Sequence, residues 1–171
     1  LGMHAQVGWV LGQALQHDGI ALVHERTGRA DRAEECYQRS LELLRETGHR
    51  TQIARAQAQL GTLRATRGEM EGACDSFEEA LELHEQVGDF SGVAYACRRL
   101  GAIYLNPESP DLERSEQMYQ KALGIYREQG DERGEGAVFS GLGNLAARRG
   151  DVSQAIGMWK IASERFKKLG I

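Results

Sequence analysis

Proline is nearly absent from this sequence, with two residues among 171, and aromatic residues make up only 6% of it. Because proline removes a backbone donor and breaks helices, its scarcity leaves long stretches able to form helix. β-Branched residues do not alternate with polar ones over any strand-length window, which argues against β-strands. The frequent alanine, leucine, glutamate and arginine residues favour helix. The composition therefore predicts an all-α fold.

Cysteines and long apolar runs are also scarce. The three cysteines, Cys36, Cys74 and Cys97, match neither a disulfide framework nor a zinc motif, and free thiols are typical of a reducing compartment. No segment approaches the roughly 18 apolar residues that a membrane helix needs. The uncharged first seventeen residues lack the basic start of a signal peptide. We therefore predict a cytoplasmic protein that does not contact a membrane.

Charge and motif content exclude several functions. The net charge of -4 gives no basic surface of the kind that nucleic-acid binding requires. The five histidines never lie three or four residues apart, so they form no helical metal pair. The run Gly141-Leu142-Gly143-Asn144 lacks the preceding strand and the Lys-Ser/Thr ending of a phosphate loop. Without a catalytic triad spacing either, the sequence predicts no enzyme, no cofactor, no metal and no direct contact with nucleic acid.

Glycines recur at a nearly constant interval. Gly8, Gly48, Gly88, Gly130 and Gly170 are separated by 40, 40, 42 and 40 residues, and a second series near the middle of the intervals comprises Gly28, Gly68 and Gly150. A glycine just past a helix adopts the left-handed cap conformation without steric cost. Two such glycines in each interval predict two helices in each repeat.

The glycine register sets the predicted boundaries. The repeats comprise residues 9–48, 49–88, 89–130 and 131–171, and residues 1–8 form the tail of a preceding repeat's second helix, as in a fragment of a longer array. The first helices are predicted at 9–27, 49–67, 89–105 and 131–149, and the second helices at 30–47, 70–87, 110–129 and 152–169. The third repeat has a turn at 106–110 that is two residues longer, and we expect Asn106 to take the left-handed cap there.

Small and aromatic residues occupy matching positions in the repeats. The first helices share a column of small residues, Ala21, Gly61, Gly101 and Gly143, and the second helices share Ala33, Ala73, Ser115 and Ala155, then Ser40, Ala80, Ala122 and Ala162. Between the second-helix columns lie the aromatic residues Tyr37, Phe77, Tyr119 and Trp159. Small residues allow paired helices to approach closely, and we expect each aromatic ring to fill the space between its own pair and the next.

This pattern resembles the tetratricopeptide repeat in its longer form, and Leu142-Gly143-Asn144 resembles the Leu-Gly-Asn-type repeats in particular. Similar long repeats occur in kinesin light chains and in bacterial multidomain regulators. The resemblance covers residues 9–171 and implies an α-solenoid, a right-handed superhelix of antiparallel helix pairs with four repeats. It also implies that the first helices line a concave groove that binds a peptide.

Charge supports this interpretation, because the first helices together carry net positive charge and the second helices net negative charge. Helical spacing and the resemblance indicate which side chains face the groove. In the first repeat the stripe is Leu15, Asp18, Leu22, Glu25 and Arg26. The candidate peptide-groove residues of the other repeats are Arg55, Thr62, Thr66, Tyr95, Arg98, Asn106, Ser140, Asn144 and Arg148, with Ala58, Ala102 and Ala137 among them. Arginines would bind acidic side chains or a terminal carboxylate, Tyr95 would offer a stacking or apolar contact, and Asn144 would bind a peptide backbone.

Asn144 stands out because packing does not explain it: the aligned positions hold Leu22, Thr62 and Ala102. The leading prediction is a protein-interaction scaffold that binds an acidic peptide in a basic groove. A second is a sensor or regulatory segment of a bacterial signal-transduction ATPase or transcription regulator. A third is a structural self-assembly segment, in which an uncapped apolar edge of Trp9, Val10 and Leu11 would cause concentration-dependent self-association.

Overall fold

The computed structural model describes the backbone of residues 2–171 and the side chains from Gly8 onwards. Within residues 2–171 it contains eight helices and no strand, which confirms the all-α prediction. The helices are α1 (Gly2–Arg26), α2 (Ala30–Thr47), α3 (Arg50–Thr66), α4 (Met70–Val87), α5 (Phe90–Ile103), α6 (Leu112–Gln129), α7 (Glu132–Arg148) and α8 (Val152–Lys168). Each odd-numbered helix packs mainly against the even-numbered helix that follows it.

Glycine caps end the helices as the repeat register predicts. Gly48, Gly88 and Gly130 lie just past α2, α4 and α6 with φ angles of 70°, 71° and 66°. At Gly130 the following amide, that of Asp131, donates to Tyr126 O at 2.9 Å, which satisfies an otherwise unpaired carbonyl of the last helical turn. Asp131 then accepts from the amide of Gly134 at 2.8 Å and starts α7. One short segment therefore both ends one helix and begins the next.

The cap predicted at Gly8 is wrong. Gly8 lies inside the 25-residue helix α1, so residues 2–8 continue into the helix that contains Trp9 and do not form a separate second helix. The other interval glycines within the chain are followed by His49, Asp89 or Asp131 and then by a new helix. The backbone at Gly8 instead stays helical, and Gly8 is not among the glycines with a positive φ angle.

The left-handed cap predicted at Asn106 is also wrong. No non-glycine residue in the described part of the chain has a positive φ angle. Helix α5 ends at Ile103, and the Asn106 side chain accepts from the amide of Glu108 at 3.3 Å. The amide of Asp111 donates to Tyr104 O at 2.9 Å and closes this longer turn. Asn106 therefore stabilises the turn through its side chain, outside the helical stripe on which it was placed.

The chain divides into two compact units, one ending at Asp89 and the other comprising Phe90–Ile171. In the first unit, Tyr37 and Phe77 are buried, and the ring of Phe77 lies against Gly61, where an added Cβ would come within 3.0 Å of it. In the second unit, Tyr119 lies against Gly101 of its own pair and Gly141 of the next helix. Tyr119 thus fills the space between two pairs, as predicted. Trp159 lies against Gly143 but is 41% exposed on its other side.

Candidate functional site

In the first unit, the candidate groove residues lie on α3. Arg55 is exposed, whereas the hydroxyls of Thr62 and Thr66 donate to carbonyls of their own helix, at 2.9 Å to Ala58 O and 2.7 Å to Leu63 O. Burial raises the pKa of Asp18 on α1, and the Arg55 guanidinium is among the groups that partly offset this rise. Arg55 therefore already has an acidic neighbour on this surface.

The net positive charge of α3 does not all lie on the stripe. Arg64 donates to the Glu34 carboxylate of α2 at 2.9 and 3.0 Å, and its other nitrogen donates to the Ser76 hydroxyl of α4 at 3.1 Å. Arg67 also contacts Glu34, at 3.1 Å. Arg50 donates to Gln86 of α4 at 3.3 Å. Three of the four arginines in the second repeat therefore contact second helices. The net charge summed over each helix thus overestimates the basic character of the proposed groove surface.

In the second unit, Arg98 of α5 borders a hollow of about 410 Å³. Its guanidinium lies 5.4 Å from the centroid of the Tyr95 ring and lies against the Tyr126 hydroxyl, where it offsets part of the rise in the pKa of Tyr126 that burial causes. Two contacts therefore orient the guanidinium before any ligand binds. This first hollow is lined by Arg98, Tyr126, Asp131, Arg133, Gly134, Ala137, Phe166 and Ile171.

A second hollow of about 440 Å³ lies further along the same stripe. Its lining brings together three residues of the predicted stripe, Ala102, Asn144 and Arg148, with Leu105, Tyr119 and Ala147. Burial raises the pKa of Tyr119 to about 12, so its hydroxyl remains protonated and can donate a hydrogen bond at neutral pH.

Asn144 has an internal contact that the sequence comparison missed. Its Oδ1 accepts a hydrogen bond from the Trp159 Nε1 at 3.2 Å. The statement that packing does not explain Asn144 is therefore wrong, because among the aromatic positions of the repeats only Trp159 has an indole N–H that can donate to it. Asn144 still lines the second hollow.

Ser140, also on α7, borders a third, largely apolar hollow of about 510 Å³ with Trp159 and Phe166 of α8. This hollow contains no arginine. Ser140 thus lies apart from the two hollows that Arg98 and Arg148 border.

Ion pairing separates the arginines of the second unit into two groups. Arg149 contacts Glu116 of α6 at 2.7 Å, and Arg165 contacts the buried Glu135 at 3.0 Å. Within the described residues, no carboxylate lies within ion-pair distance of Arg98 or Arg148. Both of these unpaired arginines border hollows of the α5–α7 stripe.

Only Arg98 and Ala137 of the first hollow lie on the predicted stripe; its other lining residues, Tyr126, Asp131, Arg133, Gly134, Phe166 and Ile171, were not predicted. A sequence signal exists for Tyr126 and Phe166, which form a further aromatic column seven residues after Tyr119 and Trp159. The described residues contain no cluster of three or more histidine, cysteine, aspartate or glutamate side chains that could hold a metal ion. None of the helices in that part of the chain is both long and apolar enough to cross a membrane.

The helix pairs, their glycine caps and the packing of small residues against aromatic rings define an α-helical repeat solenoid. Residues 13–86 match the tetratricopeptide repeat family, which confirms the resemblance drawn from the repeat pattern. No curated protein sequence matches the chain.

Solved structures show the same fold over nearly the whole chain. BtubC (BKLC) from P. vanneervenii is 24% identical with a TM-score of 0.81, over 92% of this chain and 64% of that one. The apo form of RapI is 17% identical with a TM-score of 0.85, over 94% of this chain and 58% of that one. The TPR-like repeats assigned to a kinesin light chain of P. anserina are 11% identical with a TM-score of 0.71, over 91% of this chain and 76% of that one.

This chain thus spans less than two thirds of BtubC and of RapI. At these identities the likeness shows the fold, and the fold is consistent with a protein-interaction scaffold.

Proposed function

We propose that this chain is a protein-interaction module that binds an acidic or carboxylate-bearing peptide segment on the α5–α7 stripe of its second unit. The observation that supports the proposal is that Arg98 and Arg148 border two hollows of one stripe without a carboxylate partner. Charged side chains left unpaired at the rim of a hollow can gain a partner from a ligand with little loss of existing contacts.

Arg98 would be the main anchor for a carboxylate. Tyr95 and Tyr126 hold its guanidinium in place, so binding would cost little side-chain entropy. A planar guanidinium can donate two parallel hydrogen bonds to one carboxylate. Ala137 and Phe166 in the same hollow offer apolar surface for the aliphatic part of an aspartate, a glutamate or a C-terminal residue.

The second hollow would bind the peptide backbone and another acidic group. The Asn144 amide nitrogen can donate to a peptide carbonyl while its oxygen keeps the bond to Trp159. The Tyr119 hydroxyl offers another donor, and Arg148 would pair with an acidic side chain. In the first unit, Thr62 and Thr66 can act only as acceptors while they donate within α3, and Arg55 lies near Asp18, so the proposed site does not include them.

The test is fluorescence anisotropy with a labelled acidic peptide that ends in a free carboxylate, and with its glutamine-substituted, C-terminally amidated counterpart. We expect the acidic peptide to bind and Arg98→Glu or Arg148→Glu to weaken it, because a hydrogen bond to a charged group is worth about 1.5–3 kcal/mol, which is roughly tenfold to a hundredfold in affinity.

Lys160→Glu is the matched control, because it makes the same change of charge at an exposed position on α8 away from both hollows. Equal binding of the two peptides would contradict the proposal, as would an equal loss of affinity in Lys160→Glu and in the two arginine variants.

A further inference from the structure

The contact between α6 and α7 in the second unit depends on two aromatic–glycine pairs. The rings of Tyr119 and Tyr126 on α6 lie against Gly141 and Gly134 of α7, so closely that a Cβ on either glycine would overlap the ring. Both tyrosines are buried. The two glycines, seven residues apart, therefore make the surface of α7 that receives α6.

Helix α8 presents aromatic residues at the same two positions. Trp159 and Phe166 follow Tyr119 and Tyr126 by the repeat interval of 40 residues. Trp159 is 41% exposed and Phe166 is half-buried, whereas their counterparts on α6 are buried. Ile156, one turn before Trp159, is 58% exposed and extends this apolar surface.

Helix α1 presents glycines at the positions that correspond to those of α7. Gly141 and Gly134 precede Gly143 by two and nine residues, and Gly19 and Gly12 precede the matching Ala21 by the same numbers. A Cβ added at Gly12 or Gly19 would meet nothing within 4 Å. Val23 beside them is 60% exposed, whereas its counterpart Leu145 is buried.

The combination of two aromatic residues facing two glycines is specific to these helices. At the two glycine positions α3 has Gln52 and Gln59, and α5 has Gly92 and Arg99. At the two aromatic positions α2 has Tyr37 and Leu44, and α4 has Phe77 and His84. Only α6 and α8 have both aromatics, and only α7 and α1 have both glycines.

The α6–α7 contact contains an ion pair, and both of its residues have uncharged counterparts at the matching positions, on α8 and just after α1. Glu116 of α6 pairs with Arg149 of α7 at 2.7 Å. The corresponding residues are Ile156 on α8 and Thr27 after α1, so a contact between α8 and α1 would leave neither a carboxylate nor a guanidinium unpaired there. The Thr27 hydroxyl already donates to Val23 O at 2.9 Å.

We infer that copies of this chain associate head to tail, with α8 of one copy packing on α1 of the next as α6 packs on α7. Trp159 then covers Gly19, and Phe166 covers Gly12. Val10 and Leu11, predicted to form the self-association edge, pack against the core of their own unit, so of that set only Trp9 is exposed. The contact surface is instead formed by the glycines and by Ile20 and Val23.

Such a contact joins two different surfaces, so it leaves a free end on each copy and does not stop at a dimer. Sedimentation velocity of the chain over a series of concentrations should therefore show a mass that rises past that of a dimer. A chain that stays monomeric at high concentration, or that stops at a dimer, overturns the inference.

The decisive variant is Gly12→Gln with Gly19→Gln. Glutamine occupies both positions in α3 and favours helix more than glycine, so α1 should fold at least as well. Two side chains placed where the rings must sit should weaken association by about a hundredfold. Gly124→Gln is the matched control, because Gly124 is also an exposed helical glycine with nothing within 4 Å, on α6. Equal association of the double variant and the control overturns the inference.

Two further experiments identify which helix surfaces contact each other. Ile156→Glu should also abolish association, and adding Thr27→Arg should restore it by recreating the Glu116–Arg149 pair across the contact. A mixture of the Gly12→Gln/Gly19→Gln chain with the Ile156→Glu chain should give dimers only, since each chain keeps one intact end. A mixture that stays monomeric, or a charge pair that restores nothing, shows that α8 does not pack on α1. The Arg98→Glu and Arg148→Glu variants should associate normally, so failure of this inference and failure of the peptide-binding proposal are distinguishable.

Discussion

Phe77→Ala tests whether the aromatic column holds the repeat core together. The Phe77 ring is fully buried and lies against Gly61, which has no side chain that could move into the space left behind. Because the ring is fully buried, we expect the cost of a large core truncation, about 3–5 kcal/mol. For a chain of this length, that corresponds to a fall in Tm of roughly 6–20 °C.

Trp159→Ala provides the comparison, because Trp159 occupies the same column and is 41% exposed. It buries less apolar area, so we expect its truncation to cost about half as much as that of Phe77. Both variants should be melted by circular dichroism at low protein concentration, so that any self-association of the chain does not contribute. An unchanged Tm in Phe77→Ala, or a larger loss in Trp159→Ala than in Phe77→Ala, would refute this account of the core.

Three smaller changes probe other contacts. Gly141→Ala should destabilise the fold by about 1–3 kcal/mol, because its methyl group overlaps the Tyr119 ring. Gly124→Ala, at an open helical position, should instead stabilise the fold by up to about 1 kcal/mol. Denaturant titration would compare the two variants. Asp18→Asn should raise stability at neutral pH, since burial raises the pKa of Asp18 and ionisation therefore disfavours the folded state. That gain should shrink as pH falls towards the ordinary value of 3.8, and a gain independent of pH would argue against the burial cause. Glu135→Gln should lower the free energy of unfolding, because it removes the buried charge that faces Arg165 at 3.0 Å. No change in chemical denaturation would contradict this.

The sequence alone predicted most of the local structure. Seven of the eight helices in residues 2–171 begin and end within two residues of their predicted bounds. Glycines at positive φ and aspartates that accept from the amide three residues later act within a few residues of themselves, so their effect can be predicted without knowing the fold. Gly8 shows the limit of the rule, because a glycine within a helical pattern can also remain inside the helix.

The candidate site depended on tertiary structure. Helical spacing placed Arg98, Asn144 and Arg148 on one stripe, and the structure shows them bordering hollows there. Spacing could not show that Trp159 donates to Asn144, because the two residues lie on different helices and only the packing of those helices brings the indole nitrogen to the amide oxygen.

The charged residues show the same difference between what the sequence determines and what the tertiary structure decides. The net charge of each helix follows from composition, but the direction of each arginine does not. Arg64 lies on a first helix and Arg67 just past its end, and both nevertheless contact Glu34 on a second helix, because the long arginine side chain can reach a partner on an adjacent helix. The sequence by itself determined where the helices begin and end and which small and aromatic residues pack between them, since these depend on local backbone geometry and on a regular repeat. Tertiary structure alone decided which charges are neutralised within the fold and which, like those of Arg98 and Arg148, border a hollow without a carboxylate partner.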